Sequence, residues 1–196
     1  GSAPLTVWWR PESGAARAVA GSDSAYPATA FEQVHPAMGD QVRAAAVASL
    51  GDVEGRTVWD LYAGIGETST ALAERGATVQ SVERDRGGVA EAERRQAGFG
   101  RRIDRVIGSA ESVVRSLVQP DLAVVNPPRA GLDRAVTDEL VRRKPGRIVY
   151  VSCDPATLAR DLARLTAPGY RLASLAAFDL FPQTAHVESV AVVELA

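Results

Sequence analysis

The sequence predicts an α/β fold: a Rossmann-like, mostly parallel sheet of seven strands closed by a C-terminal antiparallel hairpin. Three observations carry this. From about residue 57 onward, short apolar β-type runs alternate with amphipathic helical patterns, the mark of parallel βαβ units. The first run, Thr57 to Tyr62, opens into a glycine turn, Ala63-Gly64-Ile65-Gly66. After Gly169 two strand-like runs follow one another with no helical pattern between them, so a hairpin joins them rather than a crossover.

In chain order, Leu5 to Trp9 reads as a strand, residues 10–28 as loop or a weak hairpin, and Phe31 to Pro36 as a short extended segment. A helix is expected over 37–50, ended by Gly51. Strands are expected near 57–61, 78–82, 103–107, 121–125 and 147–151, with helices near 66–75, 87–97, 110–117, 133–143 and 156–166. Leu158, Leu162 and Leu165 recur at helical spacing in the last of these. Residues 171–179 and 186–195 supply the hairpin, joined through Phe181-Pro182-Gln183-Thr184. A parallel sheet closed in this way is the architecture of class I methyltransferases.

The 196 residues suit one sizeable domain. A net charge of −2 gives no global basic field, so contacts to a nucleic acid would be local or supplied by another domain. One cysteine excludes an intrachain disulfide, a thiolate zinc site and an iron–sulfur cluster, and two histidines offer no metal constellation. No apolar run approaches a membrane span, and no signal peptide is evident. The chain reads as cytoplasmic and monomeric, and Gly1-Ser2 as an expression scar.

In an open parallel sheet, ligands bind at the carboxyl ends of the strands. Asp60-x-Tyr62-x-Gly64-x-Gly66 falls at such an end, where glycines permit a tight turn and close approach of a ligand. A dinucleotide fingerprint would have a third glycine where Ser69 stands. Glu83 ends the next strand, where an acidic side chain can grip ribose hydroxyls. Together they point to a nucleoside cofactor; a tight turn with a surface glutamate is the plainer alternative. Asn126-Pro127-Pro128-Arg129 ends another strand. Its prolines stiffen a loop able to meet a flat base, and the Asn amide offers both donors and an acceptor, although Asn-Pro is also a common turn pair. Cys153 ends a further strand, in Val151-Ser152-Cys153-Asp154-Pro155. It suits a covalent step, or equally a small buried hydrophobe. Glu188 opens the last strand, and by itself it reads as a solvated edge residue more readily than as a buried base. Gln33 and Phe31, which precede the sheet, can hydrogen-bond and stack.

Together these segments resemble the RNA uracil-C5 methyltransferase family, the 5-methyluridine enzymes of tRNA and rRNA. The family signatures run Phe-x-Gln-Val-Asn, Asp-Leu-Tyr/Phe-Cys-Gly-x-Gly, Asp-Pro-Pro-Arg-x-Gly, Ser-Cys-Asn-Pro and Phe-Pro-x-Thr-x-His-x-Glu. This chain has Phe31 to His35, Asp60 to Gly66, Asn126 to Gly131, Ser152 to Pro155 and Phe181 to Glu188, in the same order. The resemblance implies S-adenosylmethionine as methyl donor, Cys153 as nucleophile and Glu188 as base. It places Gln33, Tyr62, Gly64, Glu67, Glu83, Ser109 and Asn126 at the cofactor, and Phe31, Asn126 and Arg129 at the substrate. It covers about residue 29 to the C-terminus, so residues 1–30 read as an extension or a remnant of a preceding β-rich domain, and 31–196 as the catalytic domain. Family members carry an N-terminal OB-type TRAM domain, so RNA is expected to need a further RNA-binding domain.

The implied chemistry explains the residues. Carbon 5 of uracil is a poor nucleophile; thiolate attack on carbon 6 activates it, splitting one hard step into two. A carboxylate then removes the carbon-5 proton. Departures from the family include Asn126 for Asp, His35 for Asn, Glu67 for Asn or Thr, and Ser109 for an acidic residue. Asn126 suits uracil and, flipped, cytosine. Methylation of cytosine carbon 5 or of an exocyclic amine, and a non-catalytic module that binds cofactor or RNA, therefore stand as alternatives.

Overall fold

The computed structural model describes residues 7–9, 17–20, 36–179 and 187–196. Strands β1 (Val7–Trp9) and β2 (Arg17–Ala20) pair antiparallel as a separate ribbon, the weak hairpin expected there. Helix α1 (Pro36–Ser49) follows. The alternation then runs β3 (Thr57–Leu61), α2 (Glu67–Glu74), β4 (Thr78–Glu83), α3 (Arg86–Arg95), β5 (Ile103–Ile107), α4 (Ala110–Val113), β6 (Leu122–Val125), α5 (Arg134–Arg143), β7 (Arg147–Ser152) and α6 (Pro155–Thr166). Strands β8 (Tyr170–Phe178) and β9 (Glu188–Leu195) close the chain.

Each helix starts where its sequence says it should. Asp85, Asp133 and Asp154 cap α3, α5 and α6, their carboxylates accepting from backbone N–H groups of the first turn at 2.7–2.9 Å. Pro155 follows its cap in the first turn, where its missing N–H costs nothing. One expectation fails in extent. The helix expected over 110–117 is a single turn, α4, that tightens into a 3₁₀ turn over Val114–Ser116.

The seven strands lie in the order β5-β4-β3-β6-β7-β9-β8. All neighbours are parallel except β7–β9 and β9–β8, which is the seven-stranded class I architecture expected. Alternate residues of the strands enter two cores. Trp59, Leu61, Val125, Tyr150 and Val193 pack with α5 and α6 on one face; Val58, Val79, Val124, Val149 and Val192 pack with α1 and α2 on the other. Continuous burial along β3, β6, β7 and β9 follows from helices covering both faces. The winding reverses between β3 and β6, so the topological switch point, where open α/β sheets bind ligands, lies between Leu61 and Val125.

One buried carboxylate ties the β6 end of this switch point to the helical layer. Asp161, on α6 and fully buried, accepts from the Leu132 backbone N–H at 2.7 Å, the Tyr150 hydroxyl at 2.9 Å and the Arg160 Nε at 2.9 Å. Asp161→Ala strands the Leu132 and Tyr150 donors and leaves Arg160 without its counter-charge. A loss of about 3–5 kcal/mol is expected, read as a lowered urea midpoint with an unchanged slope.

Candidate active site

A cavity of about 1050 Å³ opens at the carboxyl ends of β3, β4, β5, β6 and β7. The ends of five parallel strands, β3 to β7, and the start of the antiparallel β9 bring together Tyr62, Gly64, Glu67, Glu83, Ser109, Asn126, Arg129, Cys153 and Glu188, all of which line it. Two sequence-predicted site residues, Phe31 and Gln33, fall outside the described residues, as do His35 and His186.

On the β3 side the glycine turn is held rigidly. Gly64 and Gly66 have φ of 57° and 79°, left-handed values that favour glycine. A Cβ on Gly66 would stand 2.2 Å from Gln96 Nε2. Gln96, almost fully buried, donates to the Gly66 carbonyl at 2.6 Å and accepts from Arg105 Nε at 2.8 Å. Glu83 spans the turn, one oxygen accepting from the Gly64 N–H at 2.9 Å and the other from the Asp85 N–H at 2.7 Å. Ser69, at the third-glycine position, is buried and donates to Asp60 at 2.5 Å. Burial pushes the Asp60 carboxyl up to about 6, against the pull of Ser69. Tyr62 has the left-handed φ of 67°, an uncommon strain for a bulky side chain. Its hydroxyl faces the backbone N–H of Asp133 across the cavity, and burial pushes its pKa up. It therefore bridges the glycine turn and the start of α5. Glu67 is held by an ion pair to Arg43 and lies 3.7 Å from Arg95.

The opposite wall is the loop Asn126 to Leu132. The Asn126 N–H donates to the Leu61 carbonyl at 3.2 Å, and Gly131 turns at φ 76° directly against Asp161 and Arg160. Arg160 donates to the Ala130 carbonyl at 2.8 Å. The loop is thus fixed from α6. Sequence reasoning missed Asp161 and Gln96.

The reactive groups meet where β7 and β9 end. Ser152 pairs with Ser189 in the antiparallel ladder, which sets Cys153 opposite Glu188. Cys153 is half-buried, and burial first, then the charge of Glu188, push its thiol up; Arg129 faces the sulfur and pulls the other way. Glu188 is 3% exposed and aimed into the cavity, with no side-chain hydrogen bond among the described residues. Burial pushes its carboxyl up as well. The reading of Glu188 as a solvated edge residue is corrected. β9 is an interior strand between β7 and β8, so its first residue is flanked by a strand on each edge.

Among the described residues no cluster of three or more His, Cys, Asp or Glu side chains is arranged to hold a metal, and no helix is long and apolar enough to cross a membrane. An S-adenosylmethionine cofactor fits the residues present. The space beside Gly64 is open, Glu83 sits beside the turn, and the cavity reaches from there to Cys153.

Fold and site together define a class I, S-adenosylmethionine-dependent methyltransferase. Residues 111–195 match the family model described as tRNA (Uracil-5-)-methyltransferase. Among curated proteins it is similar to uncharacterized RNA methyltransferases of Streptomyces coelicolor, 42% identical over 84% of this chain, and of Halalkalibacterium halodurans, 40% identical over 87%. It spans 37–38% of the length of these two relatives. Among solved structures it is similar to the Pyrococcus abyssi tRNA (uracil-54, C5)-methyltransferase in complex with S-adenosyl-L-homocysteine. There the TM-score is 0.70 at 31% identity, covering 96% of this chain and 44% of that one.

Two tests follow from the electrostatics. Alkylation of Cys153 by iodoacetamide is expected to titrate above the usual thiol range. Glu188→Gln should lower that midpoint by removing a like charge, and Arg129→Gln should raise it. Asp60, ordinarily near 3.8, titrates near 6 in the fold, so the folded state holds its proton longer than the unfolded chain. Stability contributed by that proton is present below the ordinary value and is lost as pH rises through about 6. Asp60→Asn, which keeps an acceptor for Ser69, should abolish that decline in thermal melts across this range.

Proposed function

We propose that residues 31–196 form the catalytic domain of an RNA methyltransferase that makes 5-methyluridine through a covalent adduct at Cys153, residues 1–30 being an extension of it. One observation carries the reading. A lone cysteine faces a buried carboxylate that has no side-chain hydrogen bond among the described residues, in a cavity that also contains a nucleoside-type glycine turn. The family match and the similarity to a tRNA (uracil-54, C5)-methyltransferase support it.

In this reading Glu83, Gly64, Tyr62 and Ser109 hold the cofactor, with Glu67 at the same rim. Bound there, S-adenosylmethionine supplies a methyl group carried on a sulfonium, an electrophile for an activated carbon. The chain's own groups do the rest. Arg129 favours the thiolate of Cys153, which bonds to carbon 6 of the pyrimidine. The electron pair of the 5,6 double bond moves to carbon 5, which becomes nucleophilic. Once carbon 5 carries the methyl, Glu188 takes its remaining proton. The double bond re-forms, and the bond between sulfur and carbon 6 breaks. Burial keeps Glu188 more basic than an exposed carboxylate. The Asn126 amide faces the base edge and can both accept from N3–H and donate to O4. Because carbon 6 is inaccessible in a stacked duplex, the target is a loop or extruded nucleotide.

The test is covalent trapping. The chain, S-adenosylmethionine and RNA containing 5-fluorouracil should give a methylated protein–RNA adduct on a denaturing gel, since fluorine blocks the last proton removal. Cys153→Ala should abolish it. Glu188→Gln should accumulate the same adduct on ordinary RNA. Methyl transfer that survives Cys153→Ala would sink the covalent reading in favour of an exocyclic amine; a product carrying 5-methylcytidine would reassign the base.

A further inference from the structure

We propose that Arg134, Arg160 and Arg164 form a phosphate-binding rim on the α5–α6 side of the cavity, gripping single-stranded RNA on one flank of the target nucleotide. This rests on the RNA reading above and assigns residues that it does not use.

The two walls of the cavity differ in how tightly their arginines are paired. On the α1–α3 side, Arg43, Arg84 and Arg95 are matched by Asp40, Glu67 and Glu83. Arg43 and Arg95 are committed to Glu67, and Arg95 also to Glu91 at 2.7 Å. On the α5–α6 side, Arg129, Arg134, Arg160 and Arg164 share the cavity with Glu111, Asp133 and the buried Glu188, and Asp154 stands near Arg129 and Arg160, but among the described residues none of these four acids makes a salt bridge to an arginine.

Asp161 does not occupy these arginines fully. It already accepts from Leu132 and Tyr150, so one guanidinium balances its charge. Arg160 is that partner, contacting it at 2.9 Å. Arg164 reaches it through a single contact at 3.3 Å and stays 40% exposed. Arg134 is 84% exposed, and its pairing with Asp138, at 3.8 Å with both groups in solvent, contributes little.

The placement is directional. α6 starts two residues after Cys153, and Arg160 and Arg164 lie four residues apart on one face, separated by about 6 Å along the axis. Arg160 is held in place by Ala130 and Asp161, with Nη1 making no hydrogen bond among the described residues. A fixed guanidinium fork suits phosphate oxygens. The rim therefore runs away from the nucleophile along one side of the bound strand.

The test measures affinity of the chain for a short fluorescent oligouridylate against salt concentration, by anisotropy. Arg134→Gln and Arg164→Gln avoid unbalancing Asp161, and Arg171→Gln on β8 is the control. Each rim variant should weaken low-salt binding several-fold and reduce the salt slope by about 0.7, the value for one lost single-strand phosphate contact. Neutral methylphosphonate linkages on one flank of a central uridine should make binding insensitive to Arg164→Gln; on the other flank they should not. Unchanged slopes in both rim variants, or equal sensitivity of the two flanks, would overturn the rim and leave the RNA reading standing. A wild-type chain with no salt-dependent affinity would overturn the rim, and covalent trapping decides the RNA reading separately.

Discussion

The carboxylate of Asp161 never meets solvent, yet the substrate side of the cavity depends on it. Through Leu132 it fixes the end of the loop that starts at Asn126; through Tyr150 it fixes the strand that ends at Cys153; through Arg160 it reaches the Ala130 carbonyl. A buried ionised group is costly unless its lone pairs are filled, and here four donors fill them. The same bonds leave the loop a single arrangement in which both its donors and its prolines face the cavity. Gly131 completes this, since a side chain there would collide with Asp161 itself.

The cofactor side relies on a different device. Its turn is pinned from outside by the Gln96 amide and from inside by Glu83, so the backbone that faces a ligand is set before one arrives. Tyr62 joins the two sides. Its left-handed backbone aims the ring across the switch point, and its hydroxyl meets the first turn of α5. Strain at such a residue persists only where the surroundings over-determine it, and here the core packs the ring while the Asp133 N–H meets its far end.

Much of this was legible in the sequence. The bounds of β3 and β5 follow from apolar period and turn residues alone, and the ends of α5 and α6 from their Asp caps. Strand-end placement predicted that Tyr62, Glu83, Asn126 and Cys153 share a cavity, because the parallel topology brings such ends together. The burial of Glu188 was not legible from its own segment, since it depends on β9 lying between β7 and β8 rather than at the edge. Asp161 did leave a trace: an acid set among Leu158, Leu162 and Leu165 on an apolar helix face. Gln96 left none, because its partner Gly66 is thirty residues away. The short α4 reflects Val113 and Val114, β-branched residues that lose side-chain freedom in a helix.

Cys153 directly follows β7 and Glu188 opens β9, the neighbouring strand of the same ladder, whose last pair before them is Ser152 with Ser189. Adjacent strands sit about 4.8 Å apart by hydrogen-bond geometry alone. The backbones that carry these two side chains are therefore held at a lattice constant of the sheet through the Ser152–Ser189 pair beside them. Breathing of the surrounding helices can open or shut the entrance to the cavity, while the spacing of the pair changes only if the sheet itself comes apart.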